Sequence, residues 1–181
     1  MMPLLTLLWA CTPTPSGPVL QAPARLVDTL HDAHWTGPPA QGRTLIEDDF
    51  SQAGPWVGGG RLDTTVGQSG DGAAILGDLG DMPRPSWTHT TPAPPRSRCH
   101  AQAWVSTDNL DGNHLSAGAG LGVVERRSPG GTVTARHSTV PLRGTTPWAL
   151  QTLDFETDGR TRSVDLVLSG GDGNAPGRAI F

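Results

Sequence analysis

Cys99-His100-Ala101-Gln102-Ala103-Trp104-Val105 alternates small or apolar residues with polar or aromatic ones at every step. Successive side chains of an extended strand point to opposite faces. The run therefore lays Cys99, Ala101, Ala103 and Val105 on one side of a sheet and His100, Gln102 and Trp104 on the other. The same alternation returns at residues 120–125, 151–155 and 164–168, each stretch bounded by Gly, Pro, Asn or Asp. Such segments read as half-buried antiparallel strands. Residues 132–142 pair back after the turn Ser128-Pro129-Gly130-Gly131, and Asp158-Gly159 makes a hairpin turn between Phe155 and Val164. Upstream, residues 44–46, 61–66 and 73–76 read as weaker strands. Residues 78–95 are Pro-rich and read as irregular, with a short extended piece around Trp87-Thr88-His89-Thr90. About nine short strands between regular turn signals predict an all-β protein, an antiparallel β-sandwich (jelly roll).

Composition agrees. The chain of 181 residues holds 24 Gly and 17 Pro, which favours turns over long helices. Every one of its 13 basic residues is Arg, and its net charge is −4. Arg126-Arg127 is the one adjacent basic pair, so no basic stripe suited to nucleic acid is visible in the sequence. No apolar stretch is long enough to span a bilayer as a helix.

The N-terminal third divides into three pieces. Residues 1–11 are apolar and end in Leu8-Trp9-Ala10-Cys11, which resembles the lipobox of bacterial lipoproteins. That resemblance implies a signal peptide, lipidation at Cys11, and a membrane partner reached through the lipid anchor alone. Trp9 and the missing basic n-region depart from the pattern, and a coincidental apolar terminus is the alternative. Residues 12–23, opening with Thr12-Pro13-Thr14-Pro15-Ser16-Gly17-Pro18, read as an extended tether. Residues 24–43 hold a short helix, with Leu26, Val27 and Leu30 on one stripe, followed by a linker. The sandwich is expected over residues 44–181, its last strand breaking off at Phe181. A strand cut short at a sheet edge leaves unpaired backbone, so poor solubility or marginal stability is expected of the isolated chain. The two cysteines, Cys11 and Cys99, could pair if both survive in an oxidising compartment, but two cysteines are not a disulfide framework; Cys99 reads as a small buried apolar residue in preference to a reactive thiol.

Several segments together carry a family resemblance: Ala103-Trp104-Val105-Ser106-Thr107, the Gly-rich Ala117-Gly118-Ala119-Gly120-Leu121-Gly122, Pro141-Leu142-Arg143-Gly144-Thr145-Thr146-Pro147-Trp148, Phe155-Glu156-Thr157 and Gly177-Arg178-Ala179-Ile180-Phe181. Their order resembles the jelly-roll carbohydrate-binding modules of bacterial secreted hydrolases and the broader galactose-binding-like domains. It implies an extracytoplasmic, non-catalytic module that binds polysaccharide, lipid-anchored or secreted at the bacterial cell envelope. The alternative is a ligand-free structural appendage, N-terminal to a missing hydrolase domain such as a glycosidase or sulfatase. The resemblance also implies a structural calcium, with Glu47, Asp48 and Asp49 matching half of its ligand set; three solvated acids at a strand start is the other reading. Calcium takes six to eight oxygens, so a second half-site is needed.

Sugar binding requires flat apolar rings beside hydrogen-bonding groups. Among the six Trp, Trp104 is the best placed, sharing its face with His100 and Gln102. Trp87, in the Pro-rich stretch, is a candidate for a groove edge. Catalysis is not expected: no Gly-x-Ser-x-Gly elbow, phosphate loop, His-Glu-x-x-His helix or paired-Cys site is present. The glycines of residues 118–122 lead into a strand and not a helix, so they do not form a dinucleotide loop.

Overall fold

The structure is a computed structural model that describes residues 9–13, 43–52, 54–68, 72–77, 86–110, 118–170 and 177–181, the first of these by backbone alone. The strands are β1 (Trp9–Pro13), β2 (Arg43–Ile46), β3 (Val57–Gly58), β4 (Arg61–Asp63), β5 (Ala73–Gly77) and β6 (Ser86–Pro92). They continue with β7 (Ser97–Leu110), β8 (Ala119–Arg126), β9 (Val133–Ser138), β10 (Gly144–Glu156), β11 (Ser163–Gly170) and β12 (Arg178–Ile180). All described pairings are antiparallel.

Two sheets form. The first has seven strands in the order β2-β1-β7-β12-β5-β4, with β10 on the far edge of β7; the second has five, β3-β6-β11-β8-β9. From β6 to β12 the chain changes sheet at every connection except the β8–β9 hairpin, as a jelly roll does. The alternation read from sequence sets the packing. Cys99, Ala101, Ala103 and Val105 of β7 face Leu121 and Val123 of β8 and Val164, Leu166 and Leu168 of β11 in one continuous core. Leu121, Val123, Leu166 and Leu168 are fully enclosed, and burial of each such side chain contributes about 1.5–3 kcal/mol. Small residues on β7 let the sheets approach, while the large ones opposite fill the gap.

Three expectations are corrected. The short extended piece expected around residues 87–90 is a full strand over Ser86–Pro92. It is β6, bonded to β11 over its whole length, because Trp87, His89 and Thr91 stand opposite Leu168, Leu166 and Val164 and face the core with them. The last strand is not an edge. β12 lies between β5 and β7, and Phe181 exchanges both backbone hydrogen bonds with Ala74, so the physical basis for marginal stability is absent there. Thr12 and Pro13, expected in an extended tether, belong to β1, which is paired with β7 through the whole of Trp9–Pro13. The helix of residues 24–34 and the rest of the tether lie outside the described residues.

Candidate functional site

The outer face of the first sheet brings together the residues singled out on β7 with partners from β10. The register sets Asp154 opposite His100, Thr152 opposite Gln102 and Leu150 opposite Trp104. Directly opposed residues share a face, so these six form one patch. His100 Nδ1 lies 2.7 Å from Asp154 Oδ1, and its Nε2 lies 3.4 Å from Gln102 Oε1. Asp154 is open, with 78% of its side chain exposed, and His100 stands at 36%. Leu150 is 43% exposed, beside the half-buried Trp104. The Trp104 indole N–H is buried and has no acceptor among the described residues. Farther along the same face, Ala73, Ile75 and Ile180 pack with Trp148 in a second, smaller apolar cluster. One end of the face is therefore closed and greasy, and the other is open and polar. A partly open indole beside an exposed aliphatic, an amide, an imidazole and a carboxylate can stack on a sugar ring and bond its hydroxyls.

Trp87 is not in this patch. It is 9% exposed and sits between the sheets, its ring centroid 6.4 Å from that of Trp56 and 6.2 Å from that of Phe50. Gly60 makes room for it: a Cβ there would fall 2.7 Å from Trp87 Nε1. The cause is register, since Trp87 pairs with Leu168 and is turned inward with it.

Glu47, Asp48 and Asp49 do not converge. Asp48 Oδ1 accepts from Phe50 N–H at 2.8 Å and its Oδ2 accepts from the Trp56 indole N–H at 2.7 Å. Asp49 accepts from Ser51 N–H, a bond that holds its carboxyl below the usual range. Among the described residues no group of three or more potential ligands is gathered. Both Asp48 oxygens are engaged by donors. Asp48 fastens the turn after β2 onto Trp56.

Cys99 is buried and disulfide-bonded. The one other cysteine in the sequence, Cys11, stands directly opposite it in the β1–β7 ladder. Directly opposed residues in antiparallel strands have Cα separations of about 4.5–5.5 Å, within the span of a disulfide.

Two features were invisible in the sequence. Glu125 is fully buried at the rim of the core. Its carboxylate accepts from His137 Nε2 at 2.7 Å, Thr161 Oγ1 at 2.5 Å and Asp158 N–H at 2.7 Å. The donors come from residues 12 to 36 positions away, and the His137 ring stacks on Phe155 at 4.9 Å. This network satisfies a buried charge and pins the β10–β11 loop to β8 and β9. The other feature is a groove of about 520 Å³ on the outer face of the second sheet. Gly120 and Gly122 form its floor, with Val124, Val167 and Ser169 beside them and Arg136 and Pro141 at its margin.

No protein-family model matches this sequence, and no curated protein matches it. Among the solved structures that show a likeness are the following three. A bacteriophage CBA120 tailspike protein 4 enzymatically active domain is 13% identical over 72% of this chain and 19% of its own, with a TM-score of 0.48. TmCBM61 in complex with β-1,4-galactotriose is 14% identical over 70% of this chain and 83% of its own, with a TM-score of 0.42. The Clostridium thermocellum endo-1,4-β-D-xylanase 10B modules complexed with xylohexaose are 10% identical over 75% of this chain and 26% of their own, also at 0.42. The chain thus spans about a fifth of the tailspike domain. Likeness of this order says nothing of what this chain binds.

Proposed function

We propose that this chain is a non-catalytic polysaccharide-binding module that works outside the cytoplasm at the bacterial cell envelope. The observation that carries the reading is the Trp104–Gln102–His100 row, joined across the register by Leu150, Thr152 and Asp154 on one outer sheet face. In this reading Leu150 and the free edge of the Trp104 indole take the apolar face of a sugar. Gln102, His100 and Asp154 bond its hydroxyls. The Cys99 disulfide supports an oxidising compartment. A lipid on Cys11 and that bridge exclude one another within one molecule, because the sequence holds no third cysteine.

Affinity electrophoresis through gels containing soluble polysaccharides tests the proposal. At least one should retard the protein, and Trp104→Ala or His100→Ala should weaken retention tenfold or more, about 1.4 kcal/mol. His100→Ala removes a partly exposed side chain and leaves the core intact, so it separates lost binding from lost folding. If no polysaccharide retards the parent, or both variants migrate as the parent does, the row binds no glycan. The ligand-free appendage then takes its place, favoured by the indole N–H of Trp104, which is buried and has no partner among the described residues.

A further inference from the structure

The fold collects arginines that lie far apart in the sequence. Arg126 ends β8 and Arg127 follows it, and Arg160 and Arg162 lie in the β10–β11 loop. Backbone hydrogen bonds join these segments: Arg162 N–H to Arg126 O at 2.8 Å, and Ala93 N–H to Arg162 O at 3.1 Å. Arg96 reaches the same end, where a Cβ on Gly159 would lie 3.1 Å from its Nε.

Two of the four acids nearby are buried and paired, and the other two, Asp158 and Glu156, are exposed. Glu125 is buried and bonded to His137, and Asp165 is bonded to Arg126 and Thr90. Asp158 accepts from Arg160 N–H, and Glu156 stands opposite Arg98 on β10 and β7. Arg127, Arg160 and Arg162 are exposed and have no carboxylate partner among the described residues. A chain of net charge −4 thus carries a cationic rim at one end of its second sheet.

The groove lies on that same sheet. Its one charged lining side chain is Arg136, exposed and without a carboxylate partner among the described residues. Arg136 pairs with Val124 in the β8–β9 ladder, so it shares the outer face with Gly122 and Arg126. Four residues separate Gly122 from Arg126, a run of about 13 Å along the strand. Gly122 itself answers to no packing need. A Cβ there would meet its nearest atoms at 3.5 to 3.8 Å, ordinary contact distances. A glycine in a strand interior is a local cost, and one use of it is to let a ligand approach the backbone closely.

We propose that this outer face, from the groove over Gly122 to the arginine rim beyond Arg126, binds an acidic polysaccharide, its carboxylates or sulfates taken by Arg136, Arg127 and Arg160. Planar guanidinium groups pair with such anions in bidentate fashion, and the groove accepts the sugar ring between them. The site is separate from the Trp104 row, and it rests on the polysaccharide reading only in taking the anion to be part of a sugar chain.

Gels containing polygalacturonate, dextran sulfate or neutral galactan separate the two surfaces. The parent should be retarded by at least one acidic polymer at low salt, and retention should weaken at about 0.3 M salt. Arg127→Ala/Arg160→Ala and Arg136→Ala should each lose about tenfold in acidic gels and be unchanged in any neutral gel that retards the parent. Gly122→Thr, which fills the floor without altering charge, should lose retention while its melting temperature holds. Trp104→Ala should leave acidic retention intact, so failure of the Trp104 row and failure of this surface give different patterns. The proposal is overturned if neither acidic polymer retards the parent, or if the arginine variants are retained as the parent is. It is equally overturned if single-stranded DNA is retained as strongly and lost with the same variants, since the rim would then be a general anion surface.

Discussion

Replacing Trp87 by Ala should unfold much of what joins the two sheets at the β3–β6 end. Trp87 is 9% exposed, packs its ring beside those of Phe50 and Trp56, and shares the core cluster with Leu76. A buried Trp removes about 150–250 Å² from water, which at about 25 cal/mol per Å² is about 4–6 kcal/mol. Measured large-to-small core changes of this kind cost about 3–5 kcal/mol, and the neighbours cannot close the hole. Two of them, Phe50 and Trp56, are tied to Asp48 through a backbone N–H and an indole N–H, so their movement is limited. In a domain of this size the change corresponds to a melting temperature lower by about 6–20 °C. Urea titration followed by circular dichroism measures it, with Trp104→Ala as the comparison at a half-buried position. A loss below about 1 kcal/mol at unchanged m would refute the reasoning, because a Trp lining an open groove costs no more than that.

Acid should weaken the fold through His89. Burial holds its imidazole below the usual range, with Asp48 partly opposing, and its Nδ1 is enclosed without a partner among the described residues. A folded-state pKa under the unfolded value of about 6.5 means that the unfolded chain takes up the proton first, so stability falls as pH drops through and below about 6.5. The melting temperature should therefore decline between about pH 7.5 and 5.5, and His89→Gln should flatten that decline; equal slopes in parent and variant would contradict it. Intact mass under non-reducing conditions should show a chain lacking both thiol hydrogens, with Cys99 unreactive to alkylation until reduced. An acyl addition at Cys11 would instead establish the lipid anchor and remove the bridge.

The strands with strict alternation were legible because one of their faces is dry. β7, β8 and β11 read correctly from residue type alone, and so did the shared face of His100, Gln102 and Trp104. β6 was read only as a short extended piece, since its core face is made of Trp87, His89 and Thr91, and two polar residues of three hide the period. The face of Trp104 was legible and that of Trp87 was not, for one reason: the first is flanked by small residues that announce the inner face, and the second is not. Asp154 and Thr152 could not be assigned to the Trp104 row, because a partner some 50 positions away is fixed by register and not by spacing. The arginine rim is hidden in the same way. Arg96, Arg127, Arg160 and Arg162 look scattered until the loops that carry them are laid side by side.

β7 serves as a shared spine. Along one edge it holds β1 as far as Ala101 and takes up β12 only from Ser106, so among the described residues its ladder is interrupted between these points on that side. The first sheet is in effect two leaves bound to one stem, β1 with β2 and β12 with β5 and β4. Leaves so joined need not open together. Amide exchange should report two rates, with the shorter leaf loosening while its longer neighbour stays shut.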